Sequence, residues 1–227
     1  MRTVIITGIS GGLGKALFDR LAQEQDVRLL GIGRHFLPDQ VQRATLWQHD
    51  LSRVEDVPKR EAFACFLREH PCDEVVFLHN AGMVEPLGPI GQLDSAQMVS
   101  AVHLNLLAPM LLTNEFLAAV SGLDVRVKLL FISSGAAKRV IEGWSVYCAT
   151  KAGGEQFFDV LAAQYKQDER YLIASVNPGV MDTNMQRVIR SGVDFPEKER
   201  YVRLKEEGQL PAPDAVAERI VQEYGLV

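Results

Sequence analysis

Residues 2–14, RTVIITGISGGLG, decide how this chain of 227 residues is read. Arg2–Thr7 is a short β-rich apolar run, with no polar face of its own. That pattern suits a strand buried on both sides, as at the centre of a parallel sheet. Gly8, Gly11, Gly12 and Gly14 follow at once, and KALFDRLAQE (15–24) then sets Ala16, Leu17 and Leu21 on one helical side. Strand, glycine turn and helix in that order make an entry for a nucleotide. Glycines let the backbone approach a pyrophosphate, and the free N–H groups of a helix start point at it. The spacing is Gly8-x-x-x-Gly12-x-Gly14, wider than the G-x-G-x-x-G fingerprint. The same turn also permits close helix–strand packing with no ligand.

Working outward, further strands recur. Val27–Ile32 ends at Gly33-Arg34-His35, where a βαβ unit meets the adenosine ribose. An acidic residue there would accept from a 2′-hydroxyl. Arg34 is suited instead to a 2′-phosphate, or to plain solvation. Residues 44–48 form a third strand ending in His49-Asp50-Leu51, and Asp50 either meets an adenine amino group or caps the next turn. A helix is expected over 58–69. Residues 73–78 are a fourth strand leading into His79-Asn80-Ala81-Gly82, small residues that let backbone lie against a cofactor or simply turn. A long helix over 93–117 carries Asn105 mid-way, and Pro109 is expected to bend or break it. Val127–Ile132 ends in Ser133-Ser134, at the crevice edge of an open α/β sheet. Residues 172–176 are a sixth strand, closed by Asn177-Pro178-Gly179. Strand and helix alternate throughout, so the expected fold is a single α/β domain, a Rossmann-type doubly wound parallel sheet with helices on both faces. Residues 180–207 interleave Met185, Val188, Ile189 and Phe195 with charges and read as a lid over the crevice mouth. A last helix spans 214–224.

Composition narrows the class. The chain is 47% hydrophobic and 23% charged, with a net charge of −5. It can bury a sizeable core, and mild acidity gives no reason to expect nucleic acid or an anionic membrane as partner. Cys65, Cys72 and Cys148 lack metal-ligand spacing, and reduced thiols fit the cytoplasm. No apolar run reads as a membrane span or an export signal.

Tyr147 and Lys151 carry the chemistry. At i and i+4 on a helix both side chains share one face. A lysine ammonium beside a phenol favours the phenolate, so the expectation is a Tyr147 pKa lowered by Lys151 and a working general acid/base. Alone, the pair also suits an ordinary surface helix.

Together these motifs resemble the short-chain dehydrogenase/reductase family over nearly the full length. TGISGGLG (7–14), HNAG (79–82), Asn105, Ser133-Ser134, YCATK (147–151) and NPGVMDT (177–183) carry the resemblance in order. Within the family, AGMVEPLGPIG (81–91), HLNLLAPMLLT (103–113), SGAAKRVIEGWSVYCATKAG (134–153) and PGVMDTNMQRVIRS (178–191) resemble the sepiapterin reductase-like group and bacterial benzil reductases. Two positions depart from the family pattern. Gly11 stands where NADP-preferring members often carry a basic residue, and the seventh strand is short or absent.

The resemblance implies NADP(H) as cofactor. Gly8, Ser10, Gly12, Leu13 and Gly14 would hold its pyrophosphate, Arg34 its 2′-phosphate, and Asp50 and Leu51 would flank adenine. Asn80, Ala81 and Gly82 would line the ribose track, and Pro178, Gly179, Val180 and Thr183 would fix the nicotinamide. It implies Ser134 on the substrate carbonyl, Tyr147 as acid, Lys151 on the nicotinamide ribose, and Asn105 holding a relay water. It also implies a homodimer built on the Asn105 and Tyr147 helices. The expected substrate wall is Met83, Val84, Leu87, Val140, Trp144, Met181, Met185 and Phe195, suiting a bulky aromatic ketone or 1,2-diketone. Rival readings are a 3-oxoacyl, alcohol or sugar reductase, and an NADP-binding sensor without turnover.

Overall fold

The opening run becomes β1 (Arg2–Thr7), in the middle of the sheet. The computed structural model describes residues 1–192 and 195–227. On one side of β1 lie β2 (Val27–Gly33) and β3 (Thr45–Gln48). On the other lie β4 (Glu74–His79), β5 (Arg126–Ile132) and β6 (Tyr171–Val176). All neighbours are parallel, in the order β3-β2-β1-β4-β5-β6. The direction of winding reverses between β1 and β4, and a crevice opens at the carboxyl ends there.

Alternate side chains of each strand serve opposite layers. Val4, Ile6, Val76, Leu78, Leu130 and Ile132 pack with residues of α1 (Gly12–Leu21) and α8 (Pro213–Glu223). Ile5, Val75, Phe77, Leu129 and Phe131 pack with α2 (Arg60–Glu69), α4 (Ala108–Val120) and α5 (Ser145–Gln164). Phe77 meets Phe116 edge-on at 5.3 Å, and Phe131 stacks on Phe158 at 5.0 Å. With apolar cover on both faces, the strands are the near-continuous apolar runs that the sequence displays. The doubly wound α/β fold is the one expected.

Two local expectations change, and the one about a seventh strand holds. The alternation of strand and helix fails between β2 and β3, where residues 34–44 form turns. Gln40 accounts for this. Its amide is fully buried, donates to Ile9 O at 2.7 Å and accepts from Leu37 N at 2.9 Å, tying the turn to the glycine loop. Pro109 does not break its helix. The long helix runs as α3 (Ser95–Val102), a π turn (His103–Leu107) and α4, with Pro109 in the first turn of α4. The wider π register absorbs the missing N–H of proline. No seventh strand occurs among the described residues. Lys128 Nζ instead donates to Tyr224 O at 3.1 Å and Gly225 O at 2.7 Å, and Leu226 is fully buried.

The stretch Ser95–Val120 is long and apolar enough, by length and composition alone, to cross a membrane. Here it is a layer of the fold: Leu112 and Phe116 pack into the core beneath the sheet, and Asn105 bonds across to the neighbouring elements.

Candidate active site

The glycine loop and the end of β4 are laced into one unit. Thr7 Oγ1 accepts from the N–H groups of Asn80 and Ala81, both at 2.9 Å. Asn80 Nδ2 donates back to Thr7 O at 3.0 Å and Gly8 O at 3.1 Å. Gly8 and Gly12 have φ of +73° and +53°, a region that disfavours other residues. Thr183 closes over Gly12, where an added Cβ would meet Thr183 Cγ2 at 3.4 Å. Thr183 Oγ1 also accepts from Gln186 N at 3.3 Å and so caps α6 (Asn184–Ser191).

At the ends of β2 and β3, Arg34 is exposed and Asp50 half-buried. Asp50 Oδ1 accepts from Ser52 N at 3.1 Å and Ser52 Oγ at 2.7 Å, which is the turn-capping role. Burial pushes its carboxyl up, but the Ser52 bonds and the charges of Arg34 and Arg53 outweigh it, so the pKa lies below the ordinary value.

Tyr147 and Lys151 stand on the first turns of α5, against the end of β5, and are 6% and 4% exposed. Lys151 Nζ donates to Ile132 O at 2.8 Å and lies 5.8 Å from the Tyr147 ring centroid. Ser134 Oγ accepts from Ala136 N at 3.1 Å and shapes the short 3₁₀ turn after β5. The expected lowering of the Tyr147 pKa by Lys151 is overturned. Burial pushes the phenol up to about 12, with the Ser134 interaction offsetting part of that. Burial also lowers the Lys151 ammonium to about 8, against the pull of Glu155. In the crevice wall, removal from water outweighs a cation that is anchored to a strand carbonyl. Tyr147 therefore carries its proton at neutral pH.

Asn105 lies in the π turn. Oδ1 accepts from Met83 N at 2.8 Å, and Nδ2 donates to Met83 O at 2.8 Å and Thr150 Oγ1 at 3.3 Å. It pins the β4–α3 loop to α5 with both Nδ2 hydrogens engaged and one Oδ1 lone pair left to accept. It still adjoins the lysine: a Cβ on Gly82 would sit 3.2 Å from Asn105 Oδ1 and 3.6 Å from Lys151 Nζ.

These parts enclose one crevice of about 510 Å³. Gly8, Ser10, Gly12, Leu13, Gly14, Arg34, Asp50, Leu51, Asn80, Ala81, Gly82, Ser134, Tyr147, Lys151, Pro178, Gly179, Val180 and Thr183 all line it. Among the expected site residues only Asn105 stands behind the wall. Of the expected substrate wall, Trp144, Met181 and Met185 line the crevice, whereas Val84 and Phe195 are packed behind it. Val140 is 98% exposed, because the loop after the 3₁₀ turn directs Val140 outward and Ile141 inward. Met83 and Leu87 are also outside the lining.

A family model for short chain dehydrogenases matches residues 2–194. This chain belongs to the short-chain dehydrogenase family. It is 37% identical to the benzil reductase ((S)-benzoin forming) of Bacillus cereus, over 97% of this chain and 92% of that protein. Identity to the benzil reductase ((S)-benzoin forming) of Bacillus subtilis (strain 168) is 34%, over 96% and 90% of the two chains. The solved structure of a short-chain dehydrogenase/reductase from Burkholderia vietnamiensis superposes with a TM-score of 0.69 at 33% identity, over 78% of this chain and 84% of that one. This chain is thus an oxidoreductase of a family that works with nicotinamide cofactors, and sepiapterin reductases are among its relatives.

Several crevice residues of this short-chain dehydrogenase escape sequence reasoning. Ile141, Gln186 and Ile189 line its apolar end, and so does Tyr201 from α7 (Lys198–Glu206). Ile189 was legible as part of an amphipathic segment, but Tyr201 sits in a charged run that reads as a solvated helix. It is 3% exposed and stacks on Trp144 at 5.5 Å. From the segment 180–207, Val180, Met181, Thr183, Asn184, Met185, Gln186, Ile189 and Tyr201 line the crevice, and residues 193 and 194 lie outside the described residues. Arg139 lines the crevice too and holds Glu197 at 2.7 Å, joining the loop before α5 to the start of α7.

Proposed function

We propose that this short-chain dehydrogenase is an NADPH-dependent carbonyl reductase acting on bulky apolar aromatic ketones or 1,2-diketones. The observation that carries the reading is a polar focus of Ser134, Tyr147 and Lys151 beside an apolar wall of Ile141, Trp144, Met181, Met185, Ile189 and Tyr201, with Arg139 and Gln186 also in the lining. Such a wall favours apolar rings over sugars or charged acids. The benzil reductase relatives point to the same substrate class.

The residues present fit a dinucleotide. Gly8 and Gly12 hold positive φ in the crevice lining at the start of α1, and Arg34 stands at the ribose end. NADPH, when bound, would supply the hydride. Gly8, Ser10, Gly12 and Leu13 would hold its pyrophosphate. Asp50 and Leu51 would flank adenine, and Asn80, Ala81 and Gly82 the ribose track. Pro178, Gly179, Val180 and Thr183 would hold the nicotinamide end. Ser134 Oγ would donate to the substrate oxygen, and Tyr147 would release its proton to that oxygen as hydride reaches carbon. Lys151 would hold the nicotinamide ribose and stabilise the emptied phenol. Asn105 would hold a relay water beside Lys151, through its backbone carbonyl or the second lone pair of Oδ1. Proton donation of this kind contributes about 10²–10⁴ in rate.

NADPH oxidation followed against benzil, sepiapterin, a 3-oxoacyl thioester and aldose sugars tests the reading. Turnover of benzil well above the sugars and the thioester is expected; a preference for the thioester would favour the 3-oxoacyl reading, and turnover of none would sink the enzyme assignment. Arg34→Ala is expected to weaken NADPH binding about tenfold, the value of one charged hydrogen bond. NADH binding should stay as it was. Equal affinity of the wild-type protein for both nucleotides would refute the role of Arg34.

A further inference from the structure

Trp144 occupies the N-cap position of α5, just ahead of Tyr147. It lines the crevice and is 4% exposed. Tyr201 stacks on the indole with 17° between the planes, and Tyr147 meets it edge-on at 5.9 Å. These contacts fix the plane of the ring. Its single polar atom, Nε1–H, is buried without a hydrogen-bond partner. A buried indole N–H usually finds an acceptor, and an exception in a native fold asks for a reason. This exception stands beside Tyr147, in a wall that also holds the apolar Ile141, Met181, Met185 and Ile189.

We propose that Trp144 Nε1–H is a second hydrogen-bond donor of the site and reads the neighbouring oxygen of a vicinal dicarbonyl. Ser134 and Tyr147 hold the oxygen of the carbonyl being reduced. Two oxygens on adjacent carbons match two donors on adjacent rings of one helix start. The inference rests on the carbonyl-reductase reading above. Gln186 Oε1, also buried and unpartnered in the crevice wall, is an acceptor and cannot serve a carbonyl oxygen. The indole nitrogen is covered by its neighbours in this structure, and the proposal requires that one of them yield to the substrate. A monoketone of equal size fills the same apolar walls and leaves the donor unmet. The residue is thus a specificity determinant that separates diketones from monoketones.

The test compares kcat/KM for benzil with that for deoxybenzoin, in which one carbonyl is replaced by a methylene. Trp144→Phe keeps an aromatic ring and removes the donor. The benzil-to-deoxybenzoin ratio is expected to fall about tenfold relative to wild type, the worth of one hydrogen bond in a closed site. A ratio that stays with the wild-type value overturns the proposal while leaving the carbonyl-reductase reading intact. Wild-type protein that reduces neither ketone overturns both. If Trp144→Phe fails to bind NADPH, a second measurement decides. Trp47 packs against Phe63 and Phe66, and Trp47→Phe leaves Trp144 as the sole indole. In its NADP⁺ complex, the indole N–H resonance in a ¹H–¹⁵N spectrum is expected to move downfield with benzil and far less with deoxybenzoin. Equal movement with both overturns the proposal.

Discussion

Tyr147→Phe is expected to lower kcat/KM for ketone reduction by about 10³-fold while leaving NADPH binding and the fold intact. The hydroxyl is the only group removed, and its recorded contacts are light: Met185 Sδ at 4.0 Å and the interaction with Ser134. The ring keeps its edge-on contact with Trp144 and its place in the crevice wall. Stability should therefore change by about 1 kcal/mol or less. The pH profile checks the same assignment from the other side. With its pKa at about 12, the phenol stays protonated across the working range and sets no limit there. Lys151, at about 8, is a cation below that pH and loses its charge above it. Reduction should thus be level below about pH 8 and fall as pH rises through it. A decline centred well below 7, or near-wild-type activity in Tyr147→Phe, would remove Tyr147 from the role of acid.

How far the sequence foretold this site depends on the distance over which each residue is positioned. Strands β1, β4 and β5 are legible because burial on both faces leaves unbroken apolar runs such as Val4–Ile6 and Val75–Leu78. The glycine loop, Ser134, Tyr147 and Lys151 are legible because strand ends and one helix turn position them locally. Tyr201 and Ile141 are not, since what buries them comes from another part of the chain. A charged α7 gives no local hint that Tyr201 stacks on Trp144, and neighbouring Val140 and Ile141 look alike until the loop turns one out. The clamp made by Asn105 is illegible for a related reason. Its residue type admits a water or a clamp, and only the position of the Met83 backbone shows that it ties the β4–α3 loop in place. The direction of the Tyr147 pKa shift is illegible in the sequence, because spacing registers the nearby cation but not the extent of burial.

Gly14→Ala is expected to lower the melting temperature by about 5–10 °C and to weaken NADPH binding more than tenfold. An added Cβ at Gly14 would lie 2.1 Å from Gly8 O and 2.3 Å from Asn80 Nδ2. Neither atom is free to retreat, because Asn80 Nδ2 donates to Gly8 O and to Thr7 O in the lattice that joins β1 to β4. Overpacking of this kind costs about 1–3 kcal/mol, and each kcal/mol shifts the melting temperature by roughly 2–4 °C in a domain of this size. The displaced groups are the loop that faces the crevice, so the cofactor should sense the change as much as the fold does. Gly11→Ala is the contrast: its backbone is extended, with φ of −169°, and an added Cβ meets nothing within 4 Å. Its stability should stay within about 0.5 kcal/mol of wild type. If Gly14→Ala melts with the wild-type protein, or Gly11→Ala falls as far as Gly14→Ala, then the close contact of α1 with the β1–β4 junction is not what these glycines provide. If they separate as expected, the third glycine of the turn serves packing, and Gly8 and Gly12, at positive φ in the crevice lining, are what remains for the nucleotide.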